Sequence, residues 1–238
     1  MSDEKEGDAS MGIFIKSEAE KRKKRSIAVL KKQSIPYIDH LPVIADKSEV
    51  KLKTPLEIAK RVIASMITIQ VACEIQNECE DLGDCRSFFR EQLTVYDVAD
   101  CLTEQEMKIF SAVPSQQEVI DVIWKYEACW VLFWALGMVS KLDFPGEICD
   151  CEAAIGLISR HNSLDSFTNT IQMRPVDEIL DAADLNYRYD WACVNARIDR
   201  KSLPCGLNES VVVERHKALN WLIGADGAED WDKIVVNT

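Results

Sequence analysis

Residues 174–231 hold the side chains best suited to chemistry. In RPVDEILDAADLNYRYDWACVNARIDRKSLPCGLNESVVVERHKALNWLIGADGAEDW, charged groups recur inside apolar surface. Read at about 100° per residue, a helix opening near Arg174-Pro175 puts Asp181, Asp184, Arg188, Asn195 and Asp199 on one solvated face. Asn186, Asp190 and Arg197 fall nearly opposite, with Ala182, Ala183, Tyr187, Tyr189 and Val194 on their flanks. A polar stripe with apolar flanks is expected to be buried. A second helix, from Asn208-Glu209 to Gly224, has a cap at one end and a terminating glycine at the other. Arg215 projects from the middle of its apolar face, Glu214 lies beside Trp221, and His216 and Asn220 share an edge at i, i+4 spacing.

An arginine keeps its charge, and burying it unpaired costs several kcal/mol. Arg215 therefore needs an acid. Asp190 is the first choice, then Asp184 and Asp232, with Arg197–Glu214 as a second pair. The expected result is a partly buried network of Asp190, Arg197, Glu214 and Arg215, bordered by Asn186, His216 and Asn220. Such ion pairs can fix helix packing without doing any chemistry, and that is the simpler reading. The alternative is a pocket in which His216 or Glu214 is a general base and Arg197 or Arg215 clamps an anion. His40 and His161 lie outside the cluster.

The elements that must position these groups read as helices. Thr54-Pro55-Leu56-Glu57 opens a long helix running to about Asn77, and Thr103–Glu106 and Ser115–Glu118 are further capping boxes. A helix over Ile15–Lys32 carries the basic run Lys21 to Arg25, read as a solvated face. Shorter helices are expected near Arg86–Leu93, after a turn at Asp81–Gly83, and over Cys151–Ser159. His161–Thr170 reads as a polar linker. The most apolar helix spans about 117–139. Its uninterrupted apolar part, Ala128–Val139, is too short for a membrane span, which needs about 20 residues. Trp124, Tyr126, Trp130, Phe133 and Trp134 on it read as core. The expected fold is mainly α: an irregular multi-helix bundle around that buried central helix. One or two short peripheral strands are allowed at Val50–Leu52 and Ile234–Val236. Residues 1–12 read as a disordered tail and 13–238 as one helical domain.

The chain has 238 residues, 47% of them hydrophobic, enough for one sizeable core. A net charge of −12 argues against a nucleic-acid surface. Nine cysteines without a CxxC pair, and a polar opening without a secretory signal, point to reduced thiols in the cytoplasm. There is no GxGxxG, Walker loop, GxSxG or HExxH, so no cofactor, metal or reaction class is implied. The preferred reading is a cytoplasmic binding or regulatory protein, with a protein or small ligand as partner. An enzyme, or a sensor built on Glu214, Arg215 and His216, is the alternative.

Six stretches carry a family resemblance: RSIAVLKKQSIPYIDHLPVI, KTPLEIAKRVIA, WKYEACWVLFWALG, DEILDAADLNYRYDWACVNAR, VVERHKALNWLIG and WDKIVVNT. Together they resemble a family of bacterial proteins, the domain-of-unknown-function family 4272, from about Arg25 to Thr238. In that family the last motif reads WDxVxTDT; here Asn237 stands in place of Asp. The resemblance implies a mainly helical, soluble protein. It implies no activity, and no catalytic residue can be carried over. Its most recognisable motifs include Asp190, Arg197, Glu214, Arg215, His216, Asn220, Trp231 and Asp232.

Overall fold

Side chains that turn back on their own backbone decide where the helices start. In the computed structural model, which describes residues 17–227 and 229–238, Ser17/Glu20, Thr54/Glu57, Thr103/Glu106 and Ser115/Glu118 all form reciprocal capping boxes. Each satisfies amide donors that the first turn leaves free. The α-helices are α1 Glu18–Lys32, α2 Pro55–Gln76, α3 Leu82–Val95, α4 Glu104–Ser111, α5 Gln116–Ala135, α6 Cys151–Ser159, α7 Leu164–Thr168, α8 Val176–Ile198 and α9 Glu209–Ile223.

The result is a multi-helix bundle, as the apolar periodicity predicts. Helix α5 is its centre, packed between α2 and α9, with α8 against α9 and α1 against α8. Ile58, Val62, Ile63 and Ile69 of α2 meet Val122, Cys129, Leu132 and Phe133 of α5 in the core. Burying each large aliphatic side chain contributes about 1.5–3 kcal/mol. A smaller cluster joins Leu30 and Ile35 to Tyr189, Cys193 and Val212. No described helix is long and apolar enough to cross a membrane.

Several expectations need correction. No strand forms among the described residues, so Val50–Leu52 and Ile234–Val236 lack a sheet partner. The predicted tail at 1–12 and the start of the first helix at Ile15 lie outside the described residues. Asp81 is the N-cap of α3 and Gly83 lies inside that helix, which is longer than predicted. The polar linker contains α7. Helix α5 stops at Ala135, short of 139, because Gly137 turns left-handed at φ 80°. Gly137 and Met138 N–H groups close back on the Trp134 and Phe133 carbonyls. Residues 172–174 then cover the exposed carbonyl end: Gln172 N–H donates to Leu136 O and Arg174 N–H to Ala135 O. Tyr126, Phe133 and Trp134 are core as expected, while Trp124 and Trp130 are only half buried.

The largest correction concerns α8. Asp184 and Arg188, predicted to be solvated, are buried against each other in a two-pronged pair at 2.8 and 2.9 Å. The segment at Pro42 covers them, its carbonyl accepting from Arg188 at 3.3 Å. A pair at i, i+4 brings its own counter-charge, which offsets part of the cost of taking both groups out of water. Asp181 and Asp199 stay partly exposed, at 45% and 40% of the side chain.

The basic run of α1 is spent on architecture. Arg25 pairs with Asp181 of α8 at 2.6 Å, and buried Arg22 donates to Ala45 O at 3.2 Å. Lys21 pairs with Glu18 at 2.7 Å, and Lys23 donates to the carbonyls of Asp39 and Leu41.

Candidate functional site

Three consecutive side chains on α9 go to three different places. A helix turns about 100° per residue, so Glu214, Arg215 and His216 cannot share one neighbour.

Arg215 is 4% exposed and does meet a carboxylate, but not Asp190. Its Nε donates to Oε2 of Glu127 on α5 at 3.1 Å, and its Nη1 to the Asp143 carbonyl at 2.7 Å. Glu127 also accepts the Cys149 amide N–H. Sequence reasoning does not single out Glu127, although the signal is present: an acid inside YEACWVLFW is as conspicuous as Arg215 inside its own helix.

Asp190 instead holds His216. The two are 2% and 3% exposed, with Nδ1 of the imidazole 2.8 Å from Oδ2 of the carboxylate. An ionised carboxylate only accepts, so Nδ1 carries the proton and donates. In the neutral ring Nε2 is then the acceptor. His216 lines a cavity of about 360 Å³ between α9, the segment Pro42–Val50 and the C-terminal residues. Nδ1 is committed to Asp190, and that bond leaves Nε2 unused.

Two more side chains bring unused polar groups to that cavity. Asn220 follows one turn after His216, and its amide is unpartnered among the described residues. Tyr187 comes from α8, with its ring 5.8 Å from the imidazole. Burial pushes the Tyr187 phenol up, so it stays a protonated donor at neutral pH. Asn237 and Glu49 lie on the same wall. The helical wheel places Tyr187 only on a flank of the polar stripe; its role at the cavity depends on how α8 sits against α9.

The other expected members scatter. Asn186 is buried and donates to the Val212 carbonyl at 2.9 Å, tying α8 to α9. The pair Arg197–Glu214 does not form: Arg197 sits at the exposed last turn of α8 and meets Glu209 at 2.8 Å, while Glu214 meets Lys217 at 2.6 Å. Trp231 packs edge-on against Trp221 at 5.1 Å, under the Arg61 guanidinium. Asp232 accepts from Lys125 at 3.1 Å and from the Gln105 amide at 2.9 Å. Arg197, Glu214, Trp231 and Asp232 line a separate cavity of about 550 Å³, in which Arg197, Glu214 and Asp232 each already face an opposite charge. The predicted single network is thus several independent pairs. The sequence puts the right residues on the right helices, but the expected pairs join them across faces that point apart.

Among the described residues, no group of three or more His, Cys, Asp or Glu side chains is arranged to hold a metal ion. No curated protein and no solved structure matches the chain. Residues 22–234 match the family described as "Domain of unknown function (DUF4272)", and the chain belongs to that family.

Proposed function

We propose that the protein binds a small polar molecule in the cavity lined by His216, Asn220 and Tyr187. One observation carries this reading. Three side chains with unspent hydrogen-bonding capacity converge on one concave space, and a buried carboxylate fixes the ring at its centre. Polar groups that converge on a concave space without spending their hydrogen bonds on the protein are placed to take a polar ligand. Its volume of about 360 Å³ falls within the range of small-molecule sites, about 300–1,000 Å³. The pairs Arg188–Asp184, Arg197–Glu209 and Glu214–Lys217 already have their partners and need no ligand.

A second reading follows from the same geometry. A ring held through Nδ1, with Nε2 facing a cavity, suits general-base chemistry on a bound substrate. We place the protein in the cytoplasm: all nine cysteines lie in described residues and are free thiols, as in a reducing compartment.

The test is a thermal-shift screen of a metabolite library on wild type, His216→Gln and Asn220→Ala. The melting temperature of each variant without ligand checks that its fold is retained. A compound that stabilises wild type should lose most of its effect in both variants. Hits that stabilise all three proteins equally would remove the site. Turnover of a hit by wild type but not by His216→Gln, with binding retained, would establish the second reading.

A further inference from the structure

The guanidinium of Arg215 is deeply buried yet incompletely used. Nε is taken by Glu127 and Nη1 by the Asp143 carbonyl. Neither of these bonds uses Nη2. Arg215 lines a cavity of about 410 Å³ on a different side of α9 from His216, formed with α8, α1 and the 140–145 loop.

The acids around this cavity are already committed. Asp143 pairs with Lys141 at 2.7 Å, Glu178 with Arg174 at 2.9 Å and Asp181 with Arg25 at 2.6 Å. Glu127 is shared between Arg215 and the Cys149 amide. The second guanidinium on the wall, Arg174, spends its donors on Trp134, Val139 and Ser140 carbonyls and on Glu178. Lys141, also on the wall, is exposed and paired with Asp143, so the spare N–H edge of Arg215 is the buried charged donor left for a ligand. Gln33 adds a neutral one: its carbonyl accepts from Tyr189 at 2.8 Å, leaving its NH₂ unused.

The remaining wall is largely apolar, with aliphatic side chains such as Leu142, Leu185 and Leu219 beside three aromatic ones. Trp134, Phe144 and Tyr189 line the space, the last two edge-to-face at 5.9 Å. A planar ring fits such a wall, and a carboxylate fits the edge of a guanidinium. We infer that this cavity binds a small aromatic carboxylate, its ring against Phe144 and Tyr189 and its carboxylate on Nη2 of Arg215. The inference is independent of the His216 cavity.

The probe is benzoate, titrated into the full chain by calorimetry, with benzamide and inorganic phosphate as controls. Benzoate should bind saturably, and each control about tenfold more weakly or worse. Replacing Arg215 risks unfolding, because Glu127 would be left buried and alone. Ala182→Trp avoids this: Ala182 lines the cavity without touching the ion pair, and the indole fills the space. This variant should keep the wild-type melting temperature and bind benzoate about tenfold more weakly. The inference is overturned if benzoate does not saturate, if benzamide or phosphate binds as well, or if folded Ala182→Trp binds benzoate like wild type. His216→Gln should weaken benzoate binding less than Ala182→Trp does; a larger loss there would assign the ligand to the other cavity and overturn the inference.

Discussion

A guanidinium out of water holds its place only while its carboxylate is charged and in reach. Glu127→Ala would leave Arg215 buried without that partner and should cost about 3–5 kcal/mol in urea unfolding. Replacing both residues by methionine should recover much of the loss, since apolar groups of similar volume often substitute well for a buried pair. A double variant no more stable than Glu127→Ala would show that the unpaired charge is not what makes the single change costly. The need for such a pair is legible in sequence, because an arginine amid apolar positions requires a counter-charge wherever the fold buries it. The identity of its partner is not, because Glu127 and Arg215 are 88 positions apart. Asp190, the acid expected for Arg215, serves the next residue along; one position on a helix moves a side chain by about 100°.

At the scale of elements, local chemistry can be read directly and coverage cannot. Thr54, Thr103 and Ser115 announce helix starts because capping involves only residues three apart. A helical wheel gives the direction of Asp184 and Arg188 but not what lies there. Only the placement of Pro42 reveals that this face is covered. The end of α5 depends on a similar encounter. A Cβ on Gly137 would lie 2.2 Å from the Gln172 carbonyl oxygen, and its φ of 80° disfavours any side chain. Gly137→Ala should therefore lose about 2 kcal/mol or more in denaturant unfolding. A loss below about 0.5 kcal/mol would mean that residues 172–174 can move away from the end of α5 without penalty.

Across the whole molecule, Asp232 fastens the end of the chain to α5 and α4. Burial pushes its carboxyl up, but the Gln105 amide and the Lys125 charge outweigh burial and hold it below 3.8. A carboxyl lowered on folding adds stability above its unfolded value, and that stability is lost as pH falls through the folded value. Wild type should exceed Asp232→Asn in stability at neutral pH, and the gap should close as pH drops below 3.8. A gap that does not change with pH would show that the carboxylate charge contributes nothing to this attachment. The bundle and its buried centre are legible because α2 and α5 are apolar over most of their length and open on clear caps. The attachment of the tail is not, because it depends on contacts more than a hundred positions away.

Helix α9 is a party wall between three chambers. Glu214 faces one, Arg215 another and His216 a third. A rigid rod cannot roll for one tenant alone: any twist that improves the fit in one room re-aims the side chains in the other two. Linkage is reciprocal, so whatever energy one occupant feels from its neighbour, the neighbour feels in equal measure.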